Sequence, residues 1–278
     1  AWDDPKAKWN TYEAVVVRAT WDYFRRVEQF REVLEIISDH SLLYNGLDVI
    51  DWNLDKRYLT ELRRAGLPTV PSAFISHLHP PTELASALGQ ISRWGAVEVV
   101  VKATVSAGSN DTFRIDATDG SAVSKAVQAI VDSDRIAMIQ PYLTEVDTYG
   151  ERGAVFVNGS FDHAFSRDAI LQSGGQSVEG LMADEKIGVA TLSDAERALA
   201  EKVNAWLIDR FGSLLYARID LLPSPEGPQI LEVELIEPSL FFEADAPHGP
   251  ERLVTLPARY LSIIAYPQDG RQEDGREA

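Results

Sequence analysis

Apolar residues along the chain fall into short runs that alternate with amphipathic stretches. Ala14-Val15-Val16-Val17 has the continuous apolar character of a buried strand, and Tyr23 to Ser38 carries Phe24, Val27, Phe30, Leu34 and Ile37 at helical spacing. Together they predict an α/β unit. Asn53 can cap a helix running through Leu59 and Leu62 to Gly66, after which Pro68 and Pro71 impose an extended connection, either a linker or an edge strand. A helix is predicted over Thr82 to Trp94 and a strand over Val97 to Val101, with the small-residue loop Ser106-Ala107-Gly108-Ser109 behind it. Helical spacing returns from Ser121 to Val131, and Ile136-Ala137-Met138-Ile139 predicts a buried strand ending at Gln140-Pro141.

The second half of the chain is expected to contain an antiparallel sheet. Asn158-Gly159, between Ala154 to Val157 and Phe161 to Phe165, is the dipeptide of a two-residue hairpin turn. Gly174, Gly175 and Gly180 mark a long loop, and Ser193 is placed to cap an amphipathic helix carrying Leu199, Val203, Trp206, Leu207 and Phe211. A last hairpin joins Leu214 to Leu222 with Ile230 to Ile236 through a turn from Pro223 to Pro228. Gln268 to Ala278 is polar and charged, the composition of a disordered tail.

Composition narrows the function classes. The 278 residues, 45% of them hydrophobic, suffice for a sizeable core in one large domain or two or three small ones. A formal charge of -17 makes nucleic acid and anionic membrane surfaces poor partners, since both attract surplus Lys and Arg. No apolar run reaches membrane-spanning length, and Ala1-Trp2-Asp3-Asp4-Pro5 does not read as a leader, so a cytoplasmic protein is expected. With no Cys, disulfides, thiolate metal sites and a Cys nucleophile are excluded. The five His residues show no metal or catalytic spacing.

Alternation along the last hairpin places Arg218 and Asp220 on one strand face, and Glu232 and Glu234 on one face of the returning strand. A turn centred near Glu226 pairs residues whose numbers sum to about 452, setting Asp220 opposite Glu232 and Arg218 opposite Glu234. Three carboxylates and one guanidinium then converge. Such a cluster raises its own pKa values unless cations join it, which suits a hard divalent ion arriving with phosphates. The other reading is a solvated polar face. Lys102 ends a buried strand beside the small-residue loop, and Lys56 follows the presumed cap Asn53 at a helix start, where the macrodipole disfavours a cation. Either lysine could be a snorkelling surface residue, but a polyphosphate between the two would remove both misfits. Gln140 to Leu143, after a buried strand, could be a hinge facing an adenine, with Glu145, Asp147 and Glu151 as candidates for a ribose contact.

These segments, in this order, resemble the ATP-grasp family, which includes glutathione synthetase and D-alanine–D-alanine ligase. Asn53 to Leu59 followed by Ala65 to Pro71 resembles the segment carrying the first ATP lysine, a role that falls to Lys56. Val100-Val101-Lys102 with Ser106, Gly108 and Ser109 resembles the second ATP lysine and its phosphate loop. Gln140, Tyr142 and Leu143 resemble the adenine hinge, and Glu151 a nucleotide-side acidic position. Arg218-Ile219-Asp220 and Glu232-Val233-Glu234 resemble the Arg-x-Asp and Glu-x-Asn motifs whose Asp, Glu and Asn hold magnesium. Glu234 departs from the pattern in the Asn place, an additional charge that still suits a hard metal, with Glu237 as a substitute candidate. Arg18, Thr20, Trp21, Asp22 and Tyr23 resemble the acceptor-contacting loop, and Arg167 with Gly174-Gly175 a phosphate-side Arg and its glycine-rich cover.

The resemblance implies an ATP-grasp fold of α+β and α/β character, with two α+β lobes clamping ATP. They would comprise residues 53–140 and 141–267, preceded by a small α/β domain over residues 1–52 and followed by a tail from residue 268. Family members usually begin with a further strand and helix, so the start is expected to be truncated or the first domain reduced. Val17 to Tyr23 with Glu234 to Leu240 look most like the subgroup containing the cycloserine-forming O-ureido-serine cyclo-ligase. ATP with one or two Mg²⁺ would then activate the carboxylate of a small polar amino-acid-like substrate as an acyl phosphate for attack by a nitrogen. Arg218 and Arg167 would serve catalysis. The implied alternatives are an intermolecular amino-acid or peptide ligase and a non-catalytic nucleotide-binding regulator.

Overall fold

The computed structural model describes residues 1–78, 80–107, 111–169, 171, 186–244 and 261–264, and these form three sheets. Strand β1 (Ala14–Val17) is followed by a 3-10 turn (Tyr23–Arg25), helix α1 (Val27–His40), strand β2 (Leu42–Tyr44) and helix α2 (Leu47–Asn53). The helix expected from Tyr23 is interrupted at Arg26, which takes φ -144° while its guanidinium binds Asp22 and Asp3. α1 buries Phe30, Leu34 and Ile37 against Val15, Val17 and Leu43, the i, i+4, i+7 stripe read from the sequence.

A further 3-10 turn (Lys56–Tyr58) leads into α3 (Leu59–Arg64), β3 (Ala73–Ile75), α4 (Pro80–Trp94), β4 (Glu98–Ala103), β5 (Phe113–Asp116), α5 (Gly120–Val131) and β6 (Ala137–Pro141). The four strands form an antiparallel sheet in the order β3-β6-β4-β5, with α4 and α5 on one face. β4 alternates strictly, Val99, Val101 and Ala103 facing the helices while Val100 and Lys102 face the opposite side. That side is the wall of a cleft.

Beyond it come α6 (Val146–Tyr149), β7 (Glu151–Val157), β8 (Ser160–Arg167), β9 (Ile187–Val189), α7 (Asp194–Phe211), β10 (Tyr216–Leu222) and β11 (Gln229–Glu234), the strands ordered β11-β10-β7-β8-β9, all antiparallel. Asn158 and Gly159 both take positive φ (49° and 75°) in the β7–β8 turn, as its tight hairpin requires. Ser193 and Glu196 form a reciprocal capping box at the start of α7, whose Leu199, Val203 and Leu207 pack on Phe156, Ile219 and Val233. Gly174, Gly175, Gly180 and Gln268 to Ala278 lie outside the described residues.

The last strand, β12 (Leu261–Ile264), returns to the N-terminal sheet and runs parallel to β1, giving the order β12-β1-β2. The expected assignment of residues up to 267 to the C-terminal lobe is corrected by this pairing. Residue 53 is not where the middle lobe begins either. Val49, Tyr58, Leu59, Leu62 and Leu67 pack into the core beneath the five-stranded sheet, and the four-stranded sheet starts at Ala73. Among the described residues no helix is long and apolar enough to cross a membrane.

Candidate active site

A cleft of about 900 Å³ opens where the three units meet. The hairpin of β10 and β11 forms its floor, and the register matches the alternation argument: Arg218 pairs with Glu234 and Asp220 with Glu232. Beyond Asp220 the register shifts, with Leu221 opposite Ile230, so Leu231 is an extra residue in a bulge. Ile230 enters the core, while Leu231 turns to the cleft and packs with Tyr142, Val146 and Leu222.

The edge of β11 is held by side chains from the N-terminal half. Asn53 donates to Val233 O at 2.8 Å and accepts from Leu235 N at 2.8 Å, while Tyr58 Oη accepts from Val233 N at 2.8 Å and lies 2.9 Å from Val233 O. Asn53 is therefore not the helix cap expected from the sequence. It is the last residue of α2, and Asp55 caps the following turn through Arg57 N. The result is that Lys56, between these two clasps, is fixed over the strand it must reach. Its Nζ lies 3.0 Å from Glu232 Oε1 and donates to Ser106 O at 3.1 Å.

Arg218 lies over Asp220, donating from Nε and Nη2 at 2.7 to 3.2 Å, and also donates to Glu234 and to Ser239 O. Arg167 from β8 pairs with Glu151 and stands 3.7 Å from Asp220. Gly150, ahead of Glu151, takes φ 75° and ψ 179°, and a Cβ there would lie 2.8 Å from Arg167 O, so only glycine permits this approach of β7 to β8. Burial pushes the Glu151 and Glu234 carboxyls up to about 7 despite the nearby Arg167 and Arg218. Burial also works against a charged Glu232, but Lys56 and Lys102 outweigh it and hold that carboxyl below the usual range. Desolvation lowers the Lys102 ammonium in turn.

At one end of the cleft an apolar slot is formed by Val70, Val100, Tyr142, Leu143, Val146, Leu222 and Leu231. Arg114 stacks on the Tyr142 ring at 3.6 Å and binds Glu98 and Asp147, while Tyr142 Oη donates to Asp147 at 2.5 Å. Asp147 is thus spent on holding the hinge, and neither it nor Glu145 lines the cleft; Gln140 and Glu151 do. At the other end stand Arg18, Trp21 and Tyr23. Thr20 and Asp22, expected beside them, point away. Thr20 is fully buried, and Asp22 accepts from Trp2 Nε1 at 2.9 Å and pairs with Arg26 at 2.7 Å. Both precede the 3-10 turn at Tyr23, in the loop that follows the positive φ of Ala19 (49°).

Of the expected metal ligands, Glu232 and Glu234 face the cleft, whereas Asp220 is only 1% exposed and lies beneath Arg218. Among the described residues no three acidic or His side chains gather into a metal-holding group. The donors are nevertheless all oxygens, the ligand type of a hard cation that completes its shell with phosphate oxygens. Ser106 lines the cleft; Gly108 and Ser109 lie outside the described residues. The sequence did not single out Leu222, Leu231, Asp168 or Lys186, which also line it. The bulge that exposes Leu231 has no local sequence mark.

The chain is similar to known proteins along most of its length. Residues 70–247 match the family described as prokaryotic glutathione synthetase, ATP-grasp domain, and residues 1–45 match that described as D-cycloserine synthetase DcsG, N-terminal domain. The cycloserine biosynthesis protein DcsG of Streptomyces lavendulae is 30% identical over 253 residues, covering 86% of this chain and 80% of that protein. The crystal structure of D-cycloserine synthetase DcsG superposes with a TM-score of 0.82 at 29% identity, covering 91% of this chain and 85% of that one. D-alanyl-alanine synthetase A of Vibrio cholerae shares the fold, with a TM-score of 0.59 at 15% identity over 80% of this chain and 67% of that one. The chain belongs to the ATP-grasp family of ATP-dependent ligases, on the branch that includes DcsG.

Proposed function

We propose that this ligase converts O-ureido-serine to cycloserine: ATP phosphorylates the substrate carboxylate, the oxygen-bound ureido nitrogen attacks the acyl phosphate and expels phosphate to close the ring, and water removes the carbamoyl group from that nitrogen as carbon dioxide and ammonia. The observation that carries the reading is the convergence of Lys56, Lys102, Arg167 and Arg218 on one cleft, between an apolar slot and the Arg18–Trp21–Tyr23 corner. That arrangement has room for a nucleotide in line with a small acceptor. The names of the relatives matched along both the N-terminal unit and the lobes supply the product, cycloserine, and the resemblance of Val17 to Tyr23 and Glu234 to Leu240 to the O-ureido-serine cyclo-ligase subgroup suggests the substrate.

In this reading the four- and five-stranded lobes clamp ATP and residues 1–52 hold the acceptor. Gln140, Tyr142 and Leu143 border the adenine, Glu151 the ribose side, and Ser106, Gly108 and Ser109 the phosphates. Glu232 and Glu234, with Asp220 behind them, would hold Mg²⁺, which offsets phosphate charge during in-line transfer. Lys56 and Lys102 neutralise the remaining phosphate charge, and Arg218 and Arg167 stabilise the charge that develops on the reacting carboxyl. Closure within one molecule removes the entropic cost of bringing a second substrate to the acyl phosphate. We place the enzyme in the cytoplasm, where its ATP is supplied.

Mass spectrometry of a reaction containing ATP, Mg²⁺ and O-ureido-serine should show cycloserine and ADP. A dipeptide-like product from paired amino acids, with no cycloserine, would replace this reading by intermolecular ligation. Asp220→Asn and Glu232→Gln should each lower kcat by about a hundredfold or more with unchanged far-UV circular dichroism. Full activity in both removes the site assignment.

A further inference from the structure

The cleft has a second charged corner, next to the N-terminal unit. Glu237 is 9% exposed and lines the cleft, and its carboxylate has no hydrogen bond or ion pair among the described residues. Across from it, Arg18 also lines the cleft, and its Nη1 is buried without a hydrogen-bond partner. Each is an unmet requirement: the Glu237 carboxylate lacks a cationic donor, and one nitrogen of the half-buried Arg18 guanidinium lacks an acceptor oxygen.

The two are held in a fixed relation. Tyr216 Oη lies 2.8 Å from Val17 O and 2.7 Å from Ile236 O, the carbonyls immediately preceding Arg18 and Glu237, and donates to one of them at a time. The Tyr216 ring lies under the Arg18 guanidinium at 5.4 Å. Trp21 Nε1 donates to Glu237 O at 3.4 Å, tying the N-terminal loop to the strand exit. Glu234 adds negative charge beside Glu237, while Lys56 and Arg18 offset it only in part.

We propose that Glu237 and Arg18 form a dipolar subsite in which Glu237 receives the free α-ammonium of the amino-acid substrate and Arg18 an acceptor oxygen of the same molecule. This rests on the reading of the cleft as that of a ligase for a small amino acid. The ammonium takes no part in acyl transfer, so Glu237 acts in recognition and orientation, leaving the carboxylate to face Arg218. Burial pushes the Glu237 carboxyl up to about 8, as expected of a group whose counter-charge is a ligand.

The test compares O-ureido-serine with its analogue lacking the α-amino group, in the wild type and in Glu237→Gln. The wild type should favour the amino substrate in kcat/KM by a hundredfold or more, mostly through KM. Glu237→Gln should reduce that preference to less than about fivefold and leave the KM for ATP within twofold. Tyr216→Phe, which keeps both charges and loosens their spacing, should weaken the preference less than Glu237→Gln does. An undiminished preference in Glu237→Gln overturns the subsite while leaving the ligase reading intact. If the wild type turns over neither compound, the ligase reading fails and the subsite with it.

Discussion

At the scale of single residues, burial sets most of the cleft's carboxylates apart from those at a protein surface. Glu151 and Glu234 at about 7 and Glu237 at about 8 all lie above their usual value of 4.5, with burial the first cause in each. The folded protein therefore keeps protons that the unfolded chain releases above pH 4.5. Their contribution to stability is fully present below that value and is lost as pH rises through 7 to 8. Glu232, held low by Lys56 and Lys102 against its own burial, works in the opposite sense, and its contribution disappears only as pH falls below about 4.5. Urea unfolding of the ligand-free protein should accordingly give a lower free energy at pH 8.5 than at pH 5.5. The profile should be flatter in Glu237→Gln; a flat wild-type profile would contradict these environments.

At the scale of elements, the site depends on how the edge of β11 is covered. An edge strand offers unpaired backbone groups, and here Asn53 and Tyr58 take them while bringing Lys56 to Glu232. In Asn53→Ala, Val233 O keeps Tyr58 as a partner, but Leu235 N is left buried without an acceptor. The expected cost is about 1–3 kcal/mol in denaturant unfolding, accompanied by a higher KM for ATP as Lys56 loosens. Unchanged stability would mean that another group takes over Leu235 N. The pairing of Asp220 with Glu232 was legible beforehand because strand alternation and turn position are local properties. The bulge one step further was not, because it depends on what Ile230 and Leu231 meet: a core under α7 and an apolar slot beside Tyr142.

At the scale of the whole molecule, the chain closes on itself. β12 lies beside β1, whose four residues are at most 3% exposed, so the N-terminal sheet is completed by residues more than 240 positions away. Truncation after residue 260 should uncover one edge of β1, lower Tm by several degrees and promote self-association seen by size-exclusion chromatography. β1, held on that side by β12, leads into the loop where Tyr216 and Trp21 hold Arg18 in register with Glu237 at the exit of β11. A truncated chain that still turns over should therefore lose acceptor affinity before ATP affinity.

The sequence by itself determined the elements with strong periodicity, the Asn158-Gly159 turn, the Ser193 cap, the polar face of the last hairpin and the two lysines, because each follows from spacing or backbone chemistry within a few residues. Tertiary structure alone decided the rest. It turned Thr20 and Asp22 away from the cleft, placed Asp220 under Arg218, converted Asn53 from a presumed cap into a clasp on β11, and left the Glu237 carboxylate and Arg18 Nη1 without hydrogen-bond partners among the described residues. Each of these depends on which distant segment supplies the neighbour, and burial and charge pairing are properties of that neighbour.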